Sequence, residues 1–253
     1  MIGNRFDLLN DVYSAGLTGL TLVLFVLLVG IISTVMGTIK KDKAVAISTG
    51  ALSFNIAIMM FSENELSQAV LFEPLLWRYI AAFCYFLVPA FLSVIVLAWL
   101  KEKPPLTARI VLVITLAFSV GVAGLSIFTS FNFVNAYPYF DVLFIILVLA
   151  LLTGCTKQFY QHGITGRLMT LGILALFISL LLDMLSAHAL ITWIGHTGQW
   201  GLALFTLTSL VIYLVQDWQQ QIALNTLTHQ LESKVLKRTA ELQSSQNKLE
   251  KLA

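Results

Sequence analysis

The sequence predicts an all-α protein, a seven-transmembrane helical bundle whose last helix continues into a cytoplasmic parallel coiled coil. Three observations carry that prediction. Of the 253 residues, 58% are apolar and only 11% charged, whereas a soluble domain keeps roughly a quarter of its residues charged to wet its surface. Seven apolar runs approach the length that a helix needs to cross a ~30 Å hydrocarbon core with its backbone groups paired internally. After the last run, leucines recur at alternating steps of four and three residues.

The spans fall at 15–39, 44–61, 76–100, 108–131, 139–155, 164–188 and 198–215, the second and fifth being short. The first is too long for the apolar core of a cleavable signal. It ends in Lys40-Lys41-Asp42-Lys43 rather than at small residues, so it is expected to be retained. Orientation follows from the loops. Lys40, Lys41 and Lys43 follow span one, Lys101, Lys103 and Arg109 follow span three, and Lys157 and Arg167 follow span five. The alternate loops lack Lys and Arg, and the one after span two carries Glu63, Glu65 and Glu73. Positive charge stays on the cytoplasmic side, so the N-terminus is expected outside and the C-terminus inside. Residues 1–14 then form the extracytoplasmic N-terminus, 15–217 the membrane domain and 218–253 the cytoplasmic coiled coil.

Trp77, Trp193 and Trp200 belong to the outer edge and Trp99 and Trp218 to the inner one, where indole rings anchor helices at the lipid headgroups. Past Trp218 the heptad seam reads Leu224, Thr228, Leu231, Val235, Arg238, Leu242, Ser245, Leu249 and Leu252. Its apolar members, Leu224, Leu231, Val235, Leu242, Leu249 and Leu252, predict a homodimer. The polar ones leave a weak seam, of the kind a helix pair needs to change register at low cost.

No catalytic pattern is present. The chain has no Gly-rich phosphate loop, no His-Glu-x-x-His and no nucleophile elbow. Cys84 and Cys155 lie in or at the end of apolar runs and read as small buried hydrophobes, without a disulfide or a metal. The last span contains no Lys for a retinal Schiff base. A net charge of +2 is too small to argue for nucleic acid. No cofactor is expected.

Charge inside the spans is the best remaining pointer to function, because it is costly in lipid and faces the bundle interior. Asp183 lies inside span six, while Asp141 and Arg78 enter spans five and three from outside. Arg78 is placed to pair with either carboxylate. The three form either a structural ion pair or the polar floor of an outward-open ligand pocket, with Trp77, His188, Trp193, His196 and Trp200 as possible rim contacts. His188 and His196 flank the last outer loop, and a haem between them is the redox alternative.

One stretch carries a family resemblance. Leu182-Asp183-Met184-Leu185, an outer loop and Trp200-Gly201-Leu202-Ala203-Leu204-Phe205 lead into Leu231-Glu232-Ser233-Lys234-Val235 and Arg238-Thr239-Ala240-Glu241-Leu242. This resembles the bacterial seven-transmembrane receptors with diverse intracellular signalling modules, most sharply over about the last 75 residues. The resemblance implies a sensory membrane module that binds a small ligand or senses a membrane-derived signal. It also implies a bacterial inner membrane and an output domain after Ala253, a diguanylate cyclase or a histidine kinase; the lack of a catalytic pattern predicts no enzymatic activity in these residues themselves. A small-molecule transporter is the alternative of another class, for which repeat symmetry and broken helices are the expected marks.

Overall fold

A computed structural model describes residues 5–39, 43–101, 103–192 and 197–250. Among them the regular structure is entirely helical: α1 (Arg5–Ile39), α2 (Lys43–Glu63), the one-turn α3 (Ser67–Val70), α4 (Pro74–Trp99), α5 (Leu106–Phe128), a 3-10 turn (Phe133–Ala136), α6 (Tyr137–Gln161), α7 (Gly163–Ala187) and α8 (Thr197–Glu250). Seven helices are long and apolar enough to cross a membrane, so this is a multi-pass membrane protein by length and composition. The chain divides into two compact units, Met1–Ile212 and Tyr213–Ala253.

Within the first unit the long helices pack on one another in chain order, α1 on α2, α2 on α4, then α4, α5, α6 and α7 in turn, and α4 also touches α6. Burial follows that order. On α5 only the stripe Ala108, Val111, Thr115, Ser119 and Val122 is buried, the 3–4 spacing of one narrow helical face. Its other faces expose Ile110, Val113, Leu116 and Val120, an apolar surface that suits hydrocarbon and not water. α4 is buried on nearly every side around Phe86, Val88, Leu92 and Ile95. Side-chain amides and hydroxyls tie its backbone to its neighbours. Asn55 Nδ2 donates to the Cys84 carbonyl at 2.9 Å, and Ser119 Oγ to the Phe86 carbonyl at 3.3 Å. Such cross-helix bonds are worth about 0.6 kcal/mol each in a bilayer.

The helix ends differ from the sequence expectation in instructive places. α5 stops at Phe128 and not at residue 131: Thr129 is already extended, at φ −133° and ψ 174°, and Asn132 Oδ1 accepts the Val134 N–H to start the next turn. α6 extends to Gln161, six residues past the expected end at 155. The polar residues Thr156, Lys157 and Gln158 do not break it, since Phe159 beyond them is fully buried against Trp99 at 5.5 Å between ring centroids. Trp99 is thereby corrected: it is a buried residue packed on Phe159 and His162, not an interfacial anchor. The turn into α7 is made by Gly163 at φ +65°, a left-handed conformation without cost to glycine.

In the second unit every residue from Trp218 to Leu242 is exposed. The expected seam residues Leu224, Leu231, Val235 and Leu242 are exposed, with no packing partner among the described residues of the single chain, at 54% exposure for Leu231 and 70% for Leu242. The Leu249 side chain and Leu252 lie outside the described residues.

Candidate functional site

α6 buries Phe140, Asp141, Phe144, Leu147, Val148, Leu151, Cys155 and Phe159 on one face. One carboxylate therefore stands in an otherwise apolar 3–4 stripe. Aromatic packing decides what meets it. Tyr85 of α4 lies nearly parallel to Tyr137 and Phe144, at 20° and 18°, and edge-on to Phe140. Held there, its hydroxyl donates to Asp141 Oδ1 at 2.9 Å. His188 Nε2 lies 3.0 Å from Asp141 Oδ2. A carboxylate only accepts, so this nitrogen carries the proton of that bond. Asp141, 9% exposed, thus joins α4, α6 and the end of α7.

His188 reaches Asp141 because of how α7 ends. Leu190 N–H bonds to the Leu185 carbonyl and Ala189 N–H to that of Ser186, the paired bonds of a Schellman motif, which reverses the chain just past His188. The left-handed position of that motif usually holds glycine. Here it holds Ala189, at φ 56°, with a steric strain of about 1 kcal/mol.

Asp183 of α7 meets the first turn of α8. Thr197 Oγ donates to Asp183 Oδ1 at 2.5 Å and Gly198 N–H to Oδ2 at 2.7 Å. The carboxylate therefore caps a helix start from a different helix and sits at the positive end of its dipole. Glycine lets the helices approach there, since a Cβ on Gly198 would push on the Asp183 carboxylate and one on Gly201 on Ser179. One position on, Gln199 Nε2 donates to Glu63 Oε2 of α2 at 3.1 Å.

Two cavities open around these groups. A small one of about 190 Å³ is lined by Glu63, Tyr85, Asp141, Asp183 and Gln199 among others. A larger one of about 610 Å³ shares Glu63 and Tyr137 with it and is lined further by Glu65, Phe72, Trp77 and Arg78. The structure thus brings Asp141 and Asp183 to one cavity and sends Arg78 to another. Arg78 forms no ion pair with either carboxylate, which corrects the pairing expected from its place in the sequence. Each carboxylate already holds two donors, and Arg78 is exposed in the first turns of α4. Trp77 Nε1 donates to the Leu71 carbonyl at 2.9 Å, Trp200 is exposed on α8, and Trp193 and His196 lie outside the described residues.

Sequence reasoning passed over Tyr85, Glu63, Thr197 and Gly198. None carries a local signal: Tyr85 looks like one aromatic of an apolar span, and Gly198 like a loop residue. Only the Thr197-Gly198 step, following a loop and opening a long apolar helix, hints at a capped start. Comparison with protein-family models, curated proteins and solved structures found no match to this chain.

Proposed function

We propose that this membrane protein is the sensory module of a signalling protein, with its N-terminus outside and its C-terminus in the bacterial cytoplasm. A ligand or membrane-derived signal acts at the Asp183 end, and α8 carries the change to a homodimeric coiled coil through Leu224, Leu231, Val235, Leu242, Leu249 and Leu252. An output domain, a diguanylate cyclase or histidine kinase, reads it there. The observation that carries this reading is the grip of Asp183 on Thr197 and Gly198. A carboxylate with two donors holds the first turn of the same helix whose later residues bear the heptad pattern.

The energetics suit a switch. Two hydrogen bonds to a carboxylate amount to a few kcal/mol. A ligand that competes for Asp183, or for the Glu63–Gln199 contact beside it, needs only that much differential affinity to move a two-state helix start. The weak seam lowers the cost of a register or rotation change at the other end.

The test is a cysteine scan over residues 228–245 of the full chain in native membranes, with and without Asp183→Asn. Parallel pairing places equivalent residues together, so Leu231, Val235 and Leu242 positions should cross-link to themselves in the wild type. Asp183→Asn should move the maximum to neighbouring positions. An identical profile in the two backgrounds sinks the relay. Reporter fusions after Lys41, Lys103 and Lys157 should read cytoplasmic, and an external reading at any of them removes the orientation.

A further inference from the structure

We propose that the cavity of about 610 Å³ beside Arg78 binds a zwitterionic amphiphile, an apolar tail whose head carries an ammonium next to a phosphate or carboxylate. The volume lies within the ~300–1,000 Å³ of small-molecule sites. The charges define the head. Arg78 and Glu65 both line the cavity and are both exposed, and among the described residues neither has an ion-pair or side-chain hydrogen-bond partner. Two opposite charges that do not neutralise each other are left to face whatever enters. A simple anion gains Arg78 but is repelled by Glu65 and by Glu63, which lines the same space. A simple cation meets the reverse problem. A head with both charges satisfies both walls.

The rim is held ready. Asn64 Nδ2 donates to the Gly16 carbonyl at 3.0 Å while its Oδ1 accepts the Leu66 N–H at 2.9 Å, so the turn that carries Glu65 is pinned to α1. Little ordering then remains to be done on binding. The tail is defined by Phe72 and Leu75, 81% and 62% exposed at the cavity although large and apolar. Leu75 stands at the start of the candidate span Pro74–Trp99, which sets this apolar mouth beside the membrane and gives an amphiphile a path from the bilayer. Binding here stands whether or not the α8 relay operates.

The head chemistry is shared by a bilayer lipid and by a free amphiphile, and two measurements on the full chain separate them. In the first, native mass spectrometry follows lipid retained from an equal mixture of phosphatidylethanolamine and phosphatidylglycerol. In the second, thermal unfolding in phosphatidylglycerol nanodiscs is titrated with 2-aminodecanoate, decanoate and decylamine. Preferential retention of one phosphatidylethanolamine identifies a bilayer source. A saturable rise in Tm with 2-aminodecanoate, at about tenfold lower concentration than with the other two, identifies a free one; tenfold is the scale of one charge-assisted bond. In either case Arg78→Gln and Glu65→Gln should each weaken binding about tenfold. Both side chains are exposed and have no partner among the described residues, so the unliganded melting temperature should stay unchanged and separate the site from the fold. Equal retention of the two lipids together with equal effects of the three amphiphiles means annular lipid only and overturns the proposal. Wild-type binding by both variants overturns it as well.

Discussion

Asp141 and Asp183 each accept two hydrogen bonds from donors fixed by other parts of the chain, whereas Arg78, lining a neighbouring cavity, has no such partner among the described residues. The difference is one of position. The carboxylates stand where helices converge, and an unpaired charge there costs several kcal/mol, so the fold is arranged to supply donors. Arg78 stands near the start of α4, exposed, where a long side chain is free to carry its head away from the apolar surface. Charges of the first kind constrain how helices meet. A charge of the second kind is available to something that is not the protein.

The comparison breaks most easily at Asp183. Asp183→Ala removes both bonds to the start of α8 and should lower unfolding stability by about 3 kcal/mol, measured by thermal or denaturant unfolding in detergent. Gly198→Ala, which drives a methyl into the same carboxylate, should act in the same direction. The double variant should fall well short of the sum, because the two changes disrupt one contact. Full additivity would mean that Asp183 does not hold Gly198.

A smaller loss tests Asp141. Tyr85→Phe removes one donor and keeps the ring stack, so a cost of about 1 kcal/mol is expected. In an Asp141→Asn background that cost should shrink. If Tyr85→Phe is silent in both, the hydroxyl is not bonded to the carboxylate.

Ala189 offers a change of the opposite sign. Glycine at its left-handed position relieves the steric strain but frees the unfolded chain, for a net gain of about 0.5 kcal/mol. A loss on Ala189→Gly would contradict the helix end that carries His188 to Asp141. Arg78→Gln is expected to have the least effect on unliganded stability, within about 0.5 kcal/mol. A cost like that of Asp183→Ala would place Arg78 among the constrained charges and erase the distinction.

Much of the scaffold was legible in the sequence. The seven apolar runs correspond to the seven long helices, and the expected bounds are within a few residues at most ends. Two of the errors lie where a local rule met a tertiary contact. The polar residues after Cys155 look like the end of a span, but α6 continues because Phe159 has Trp99 to pack on. Trp99 looks like an interfacial ring for the same reason: nothing near it in the chain announces Phe159 or His162, some 60 residues on.

The sequence by itself determined that this is a multi-pass helical membrane protein with charges at Arg78, Asp141 and Asp183 and a heptad pattern in its last residues. Hydropathy and periodicity are sums over neighbours along the chain, so they survive without knowledge of the fold. Only the tertiary structure decided that Asp141 belongs with Tyr85 and His188, that Asp183 belongs with Thr197 and Gly198, and that Arg78 belongs with neither. A residue's direction turns by about 100° per step along a helix, and its depth shifts by about 1.5 Å. Which side chains meet therefore depends on the rotation and depth of every helix at once, and those are set by packing between residues that are far apart in the sequence.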